Sequence, residues 1–374
     1  MKSEKPAPVP VIPEDAKSHL PPEDTLMGKA ARGLLSRYPV WPIVRFLMGK
    51  KVPIHRHSGW YMLGGIALFF FVMQIITGVL LMIYYQPANP WASVNRIVMQ
   101  VPFGAVIRSM HHWSANLMIL TLFLHMFSTM FMKAYRPPRE ATWLTGLVLI
   151  ALAMAFGFSG YLLPWDDLSF FAVRVGVTEM EKLPLLGPFA ASLVRGGPDV
   201  SIDTVGRFYP LHTVVLPLLL LGIIALHLLF IQIQGISEPD SFAAQPEEKK
   251  KYRKFFGDFL VGEIPVWLFM FGLLITLSAL LPRGIGPEAN PTAPAPDGIK
   301  PEWYLLAPYQ GLKLFPGSLE LLGMALMGAA PLLVVALPFV DRTVPSDKRG
   351  AMITKMAAAG LIGFVGMTVW GLLS

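Results

Sequence analysis

Residues 107–128 read IRSMHHWSANLMILTLFLHMFS, an apolar stretch in which two of the three histidines, His111 and His125, lie fourteen residues apart. A second apolar stretch carries His212 and His227, fifteen residues apart. Both intervals are close to four turns of α-helix, so each pair lies on one face of its helix, with roughly 21 to 23 Å between its members. An ionisable side chain in the hydrocarbon core costs several kcal/mol, so four of them indicate a function.

Two helices that face each other with these histidines would form two stacked bis-histidine sites. The separation along the helix places one site near each side of a hydrocarbon core about 30 Å thick. Haem iron accepts axial nitrogen ligands of this kind, and the pattern therefore predicts two haems. A single buried histidine is more often a hydrogen-bonded core residue, but the matched double pair disfavours that alternative.

The composition is that of a polytopic membrane protein. Of 374 residues, 54% are hydrophobic and only 15% are charged, which excludes an ordinary soluble globular protein. The net charge of +7 could suggest nucleic-acid binding, but in a membrane protein basic residues more often record topology, so no nucleic-acid partner is expected. The chain has no cysteine, hence no disulfide, no thiolate-bound iron–sulfur cluster and no covalent c-type haem. Any such centre must belong to a partner.

Seven apolar runs are long enough to span a bilayer. Basic residues flank the first run and fill the connections after the second, fourth and sixth runs. The positive-inside rule places all four regions in the cytoplasm, with the N-terminus inside and the C-terminus outside. His111 and His212 then share an outer level, and His125 and His227 share an inner level. The runs cover residues 59–84, 107–132, 143–164, 211–234, 260–282, 318–340 and 351–373.

The runs and the segments around them define a domain organisation. Residues 1–24 are proline-rich, lack the apolar core of a signal peptide and are predicted to be a disordered tail. Residues 25–58 are predicted to be an amphipathic segment on the cytoplasmic membrane surface, with a simple basic linker as the alternative. We expect a di-haem four-helix domain at 59–234, a cytoplasmic linker at 235–259 and a three-helix domain at 260–374.

Four glycines repeat the histidine interval on the neighbouring spans. They lie fourteen residues apart in two pairs, on the first and third spans, and they are Gly64, Gly78, Gly146 and Gly160. Small residues let a backbone or a flat ligand approach closely, and we interpret the repeated interval as room for haem rather than helix packing alone. Arg108 and Arg207 lie just outside the outer-level histidines and are candidate partners of haem propionates. The alternative is ordinary snorkelling to the interface.

A glutamate in the connection after the fifth span is a candidate proton acceptor. Residues 300–304 read KPEWY, and Glu302 opens an apolar and aromatic stretch on the side of the outer histidine level. A carboxylate in an apolar pocket has a raised pKa, which suits it to receive and pass on a proton. A quinol-oxidising pocket needs such a group beside an electron acceptor. A solvated loop glutamate is the alternative.

From about residue 50 to residue 374, the assembled pattern resembles cytochrome b of the cytochrome bc1 and b6f complexes. The matching segments are QIITG at 74–78, IRSMHHWSAN at 107–116, GYLLPWD at 160–166, RFYPLHT at 207–213 and PEWY at 301–304. The resemblance implies that the outer level holds a low-potential haem b and the inner level a high-potential haem b. It also implies propionate binding by Arg108 and Arg207, and a quinol oxidation pocket lined by Glu302, Tyr304 and Tyr161.

Within the family the chain looks closer to the b6f branch. It has seven spans and a fifteen-residue histidine spacing, and its parts resemble cytochrome b6 and subunit IV joined in one polypeptide. Met62 occupies a place where this branch often has a haem-binding cysteine, so no additional covalent haem is expected. Gln232 stands where relatives often carry a quinone-contacting histidine or arginine. The inner quinone site therefore has only Asp258 and Lys254 as candidates, and both are equally compatible with a solvated loop.

The resemblance implies the quinol-oxidising core subunit of a bacterial bc-type complex in the cytoplasmic membrane, which couples quinol oxidation to proton release. Its expected partners are a Rieske-type iron–sulfur protein, a c-type cytochrome or equivalent, membrane lipids, quinone and a second copy in a homodimeric core. Two other functions remain open: a di-haem membrane anchor of a dehydrogenase without electron bifurcation, and a haem-free transporter with a histidine proton relay. The first leaves the PEWY segment unexplained, and the second leaves the glycine interval unexplained.

Overall fold

The computed structural model describes residue 17 and residues 20–38, 40–342 and 348–374. The greater part of the predicted N-terminal tail lies outside this range. Seven helices within the described residues are long and apolar enough to cross a membrane, so the predicted all-α fold with seven membrane-spanning helices is confirmed. They are Ser58–Met82, Gly104–Phe131, Glu140–Leu162, Ile202–Gln234, Phe255–Leu280, Gly317–Val340 and Gly350–Leu373.

Two short helices and a strand precede the first span. Helix α1 begins after Thr25, whose Oγ1 accepts the backbone N–H of Gly28 at 3.0 Å. The two helices pack through Leu35 and Trp41, while Leu26 and Met27 remain largely exposed. The segment thus presents an apolar face that the described residues leave exposed. These elements are α1 Leu26–Arg37, α2 Trp41–Met48 and β1 Lys51–Pro53.

The next eight helices comprise a four-helix bundle and the shorter helices in its connections. They are α3 Met62–Met82, α4 Pro90–Met99, α5 Gly104–Phe131, α6 Glu140–Leu162, α7 Asp167–Glu181, α8 Gly187–Arg195, α9 Ile202–Pro210 and α10 Leu216–Gln234. Helix α3 packs along α5, α6 packs along α10, and α5 contacts α6. We call the end at which α5 begins the outer end of the bundle, following the predicted topology.

The fourth span is longer than predicted. It begins at Ile202 instead of residue 211, because α9 continues through one π-helical turn into α10. Helix α9 contains Asp203 and Arg207, whose charges end the apolar run in the sequence although the helix itself continues. Its start is fixed by a capping box, in which Ser201 Oγ accepts the N–H of Asp203 at 3.2 Å.

The predicted linker at 235–259 folds back onto the N-terminal segment. It contains α11 Asp240–Ala243 and β2 Tyr252–Lys254, and β2 pairs antiparallel with β1 so that Lys51 lies opposite Lys254. The remaining helices are α12 Leu260–Leu280, α13 Leu306–Lys313, α14 Glu320–Val340 and α15 Lys348–Leu373. Helix α12 packs against α3 and α5, and α14 packs against α6, so the C-terminal helices lie against the α3, α5 and α6 sides of the bundle.

A buried charge network joins the two halves of the chain at the inner end. Arg136 Nη2 donates to Asp341 Oδ1 at 2.8 Å, Arg136 Nη1 donates to Asp240 at 3.2 Å, and Tyr135 Oη donates to Asp341 Oδ2 at 2.6 Å. The Asp341 side chain is 0% exposed. Burial opposes its ionisation, but the hydrogen bonds from Arg136 and Tyr135 hold the pKa of Asp341 below its ordinary value. The network therefore ties the end of α14 to the connection between α5 and α6.

Candidate functional site

The two outer-level histidines face each other across the bundle. The ring centroids of His111 on α5 and His212 in the π turn are 6.4 Å apart, and the ring planes are inclined by 69°. Metal–imidazole bonds are about 2.0 Å long, so two rings that share one ion have centroids roughly 6 Å apart. The outer pair therefore has the separation expected of two axial ligands. At the inner level, His125 on α5 and His227 on α10 lie within electrostatic range of each other.

Hydroxyl groups hold three of the four imidazole rings at Nδ1. Thr77 Oγ1 lies 2.9 Å from His111 Nδ1, Thr145 Oγ1 lies 3.0 Å from His227 Nδ1, and Ser159 Oγ lies 3.0 Å from His212 Nδ1.

Each of these hydroxyls donates its own proton to a backbone carbonyl. Thr77 donates to Met73 at 2.6 Å, Thr145 to Ala141 at 2.8 Å, and Ser159 to Phe156 at 3.3 Å. The hydroxyl oxygen is consequently the acceptor of the imidazole Nδ1–H. This tautomer leaves the Nε2 lone pair free, as an axial ligand of haem iron requires. The sequence interpretation missed these hydroxyls, although each directly precedes a glycine of the repeated interval.

Each of the four glycines lies against one of the four histidines. A Cβ atom built on the glycine would be 3.4 Å from His125 Cε1 at Gly64 and 3.3 Å from His111 Cε1 at Gly78. The same construction gives 3.3 Å to His227 Cε1 at Gly146 and 2.6 Å to His212 Cε1 at Gly160. The glycines thus make room for the imidazole rings and allow α3 and α6 to approach α5 and α10 closely.

Gly160→Ala is expected to displace the His212 ring and to remove one of the two haems that the histidine pattern predicts. The added methyl would lie 2.6 Å from Cε1, closer than side-chain atoms pack. Gly222→Ala is the matched control on α10, because a Cβ there meets nothing within 4 Å. Haem content per chain, measured as the pyridine haemochrome, should fall in the first variant only; equal content in both would contradict the steric role.

The π turn explains why the second histidine pair is spaced by fifteen residues. In a regular helix fourteen residues fall about 40° short of four turns, whereas fifteen exceed them by about 60°. The turn Leu211–Val215 contains His212 and closes with an i→i+5 bond from Leu216 N–H to the Leu211 carbonyl, which accommodates one extra residue. Pro210 and Pro217 flank it, and their missing N–H groups interrupt the regular i→i+4 pattern.

The two arginines predicted to bind propionates lie at the outer end and donate to backbone carbonyls. Arg108 Nη1 donates to the carbonyls of Arg283 and Gly284, in the connection that follows α12. Arg207 Nη1 donates to the carbonyl of Leu193 at the end of α8. Their guanidinium groups are thus held beside the outer histidine level, and propionate binding remains a prediction for both.

A cavity of about 760 Å³ brings together the three residues predicted to bind quinol. Tyr161, Glu302 and Tyr304 all line it, and most of the remaining wall is apolar or aromatic. The volume lies in the range of small-molecule sites, and a mainly apolar wall with a few polar groups is typical of them. Tyr304 Oη contacts Gly157 on α6, which lies three residues, or one helical turn, before Gly160. The cavity and the outer histidine level therefore share one helix.

The Glu302 carboxyl group in this cavity is set up to accept a proton. Burial raises the pKa of Glu302, and the nearby Arg283 guanidinium opposes part of this shift. Burial and the charge of Glu302 likewise raise the pKa of Tyr304, so its phenol remains protonated and serves as a hydrogen-bond donor. Trp303 Nε1 donates to Asn116 Oδ1 at 2.8 Å and holds the PEWY segment against α5.

The candidate residues for the inner quinone site are less closely grouped than those of the outer cavity. Asp258 Oδ2 accepts the backbone N–H of Lys254 at 3.0 Å in an exposed position, and Gln232 Oε1 is buried without a hydrogen-bond partner among the described residues. The sequence interpretation passed over Glu263, which is 5% exposed and packs its carboxylate against Gly65 beside the inner level. The sequence signal that could have identified Glu263 is an acidic residue inside an apolar run.

Known proteins match both halves of the chain. The family model described as Cytochrome b/b6/petB matches residues 47–235, and Cytochrome b(C-terminal)/b6/petD matches residues 288–373. The "Cytochrome bc complex cytochrome b subunit" of Chlorobaculum thiosulfatiphilum is 47% identical over 321 residues, 85% of this chain and 74% of that protein. The "Menaquinol:cytochrome c reductase cytochrome b subunit" of Geobacillus thermodenitrificans is 41% identical over 212 residues, 54% of this chain and 95% of that protein.

A solved structure extends the likeness to the whole fold. A chain of "Hyperthermophilic respiratory Complex III" has a TM-score of 0.80 and 29% identity and covers 91% of each chain. Fold and site together define a haem-binding electron-transport subunit of a membrane complex. The chain belongs to the cytochrome b/b6 family, whose members bind haem b.

Proposed function

We propose that the chain is the quinol-oxidising cytochrome b core of a bc-type quinol:cytochrome c oxidoreductase, and that it couples quinol oxidation to proton release. The observation that carries this proposal is the cavity in which Tyr161, Glu302 and Tyr304 meet, one helical turn along α6 from the glycine that contacts His212. The names of the relatives from Chlorobaculum and Geobacillus support it.

Four histidines would hold two haems b, His111 with His212 at the outer level and His125 with His227 at the inner level. When bound, the haems supply one-electron redox chemistry. The chain contributes Nε2 of each ring, while the hydroxyls of Thr77, Thr145 and Ser159 fix three ring orientations through Nδ1. Arg108 and Arg207 would neutralise propionates at the outer end.

In the cavity, ionised Glu302 accepts a proton from a quinol hydroxyl and releases it to water on the outer side. Tyr304 and Tyr161 position the quinol head group by hydrogen bonds, and the apolar wall excludes bulk water. At the inner end, Asp258 and Lys254 are proposed to serve quinone reduction. Their exposed position gives protons from the cytoplasm direct access.

The assembly we propose lies in the bacterial cytoplasmic membrane, with the N-terminus inside and the C-terminus outside. The chain has no cysteine to hold an iron–sulfur cluster or a c-type haem, so a Rieske-type protein and a c-type cytochrome or equivalent complete the reaction. A homodimeric core is proposed from the family resemblance.

Purification of the intact complex from its native membrane tests this function. We expect two haems b per chain, co-purification of an iron–sulfur protein and quinol-dependent reduction of cytochrome c. Absence of haem would favour the transporter. Haem without an iron–sulfur partner and without cytochrome c reduction would favour the dehydrogenase anchor.

A further inference from the structure

One of the four histidines differs from the others in what its Nδ1 meets. The residue before each contacting glycine is a threonine or serine at three positions and a leucine at the fourth. These pairs are Thr77–Gly78, Thr145–Gly146, Ser159–Gly160 and Leu63–Gly64. At the first three, the glycine lies against Cε1 of the imidazole ring and the hydroxyl accepts from its Nδ1.

His125 is the exception. Gly64 lies against its ring as the other glycines do, with distances from the built Cβ of 3.4 Å to Cε1 and 3.9 Å to Nδ1. Leu63 offers no acceptor, and Nδ1 of His125 is buried without a hydrogen-bond partner among the described residues. The nearby hydroxyls of Ser128 and Thr129 both donate to the backbone carbonyl of His125, and neither is hydrogen-bonded to its ring.

The missing acceptor has a predictable effect on a bound iron. A hydrogen bond from Nδ1–H makes the imidazole a stronger donor through Nε2, and a stronger donor favours the more positive, oxidised iron. The outer level has two such bonds, on His111 and His212, and the inner level has one, on His227. On this ground alone, a haem at the inner level is easier to reduce than a haem at the outer level.

We propose that Leu63 tunes the inner site: by withholding an acceptor from His125, it raises the reduction potential of the inner haem above that of the outer haem. The inference rests on the proposed ligand assignment and deepens it. The potential difference then points electrons from the quinol cavity at the outer end toward the inner end. Leu63 acts through His125 and is a positioning residue.

Leu63→Thr in the full complex tests the proposal, with Leu63→Val as the matched control because valine has the shape of threonine without the hydroxyl. The threonine variant should lower the midpoint potential of the inner haem by about 59 mV, which is a tenfold change in the equilibrium constant of a one-electron couple. The valine variant should leave the midpoint nearly unchanged. Potentiometric titration of the purified complex, followed by optical spectra, resolves both haems.

Removing a hydroxyl that already accepts from an imidazole Nδ1–H tests the opposite change. The result does not require the Leu63→Thr variant to fold. Thr145→Val should raise the inner midpoint, and Thr77→Val should raise the outer midpoint. The role of Leu63 would be overturned if the Leu63→Thr variant kept two haems per chain with unchanged potentials. It would also be overturned if the threonine and valine variants at position 63 showed equal shifts. Neither result would contradict the ligand assignment. Unmoved potentials in both the Thr145 and the Thr77 variant would overturn the premise that the acceptor at Nδ1 sets the potential. The ligand assignment itself is tested separately, by the loss of a haem when a histidine is replaced.

Discussion

Replacement of His212 by leucine is expected to halve the haem content of the purified complex, from two haems b per chain to one. Leucine has no lone pair to offer, so a haem at the outer level would have a nitrogen from His111 and none from the fourth span. The inner pair, His125 and His227, lies about 21 Å away along the helices and should keep its haem. The pyridine haemochrome counts the haems, and redox difference spectra identify which one is lost.

His112→Gln is the matched control for this experiment. His112 adjoins His111 on α5, but its ring contacts Trp113 and the side chain of Asn116 instead of another histidine. We expect the glutamine variant to retain both haems. Two unaltered haem signals in the His212 variant would show that the ligand assignment at the outer level is wrong.

Glu302→Gln is expected to slow quinol oxidation by roughly 10² to 10⁴ while haem content stays intact, the range associated with loss of a general base. The amide keeps the size of the side chain but cannot accept a proton. Burial raises the pKa of Glu302, so the native protein should lose activity as the pH falls through that raised value, where the carboxyl becomes protonated. The variant should lack this acid limb. Turnover measured across pH gives both results.

Glu288→Gln provides the comparison for the glutamate. Glu288 belongs to the same connection between α12 and α13, but its side chain is exposed and lies outside the cavity. Its replacement should leave both turnover and the pH profile unchanged. A Glu302 variant with the native rate at every pH would remove the proposed proton role.

Hydropathy and motif alone predicted much of this molecule. The number of spans is confirmed, and six of the seven begin and end within about five residues of the predicted bounds, because twenty apolar residues in a row have few other structures available. The predicted resemblance to cytochrome b is confirmed by the family models and by the relative from Chlorobaculum. The segment PEWY and the two histidine intervals carried that prediction.

Features that depend on hydrogen bonds between helices could not be predicted from the sequence. Thr145 and Ser159 are ordinary residues of an apolar helix until the fourth span places an imidazole beside each. The early start of the fourth span depends on α9, whose polar residues end the hydropathy signal. The contact of Tyr304 with Gly157 depends on how a loop returns to α6, which no local pattern encodes.

The π turn at Leu211–Val215 has a consequence for how such chains are recognised. The histidines of the fourth span are one residue further apart than those of the second span, yet the helix surface beyond Leu216 keeps its alignment, since the turn takes up the extra residue locally. A turn of this kind changes the count between two positions without changing which positions face each other. Spacing along a membrane helix is therefore a flexible signature: patterns that demand one fixed interval will overlook members of a family whose architecture is the same.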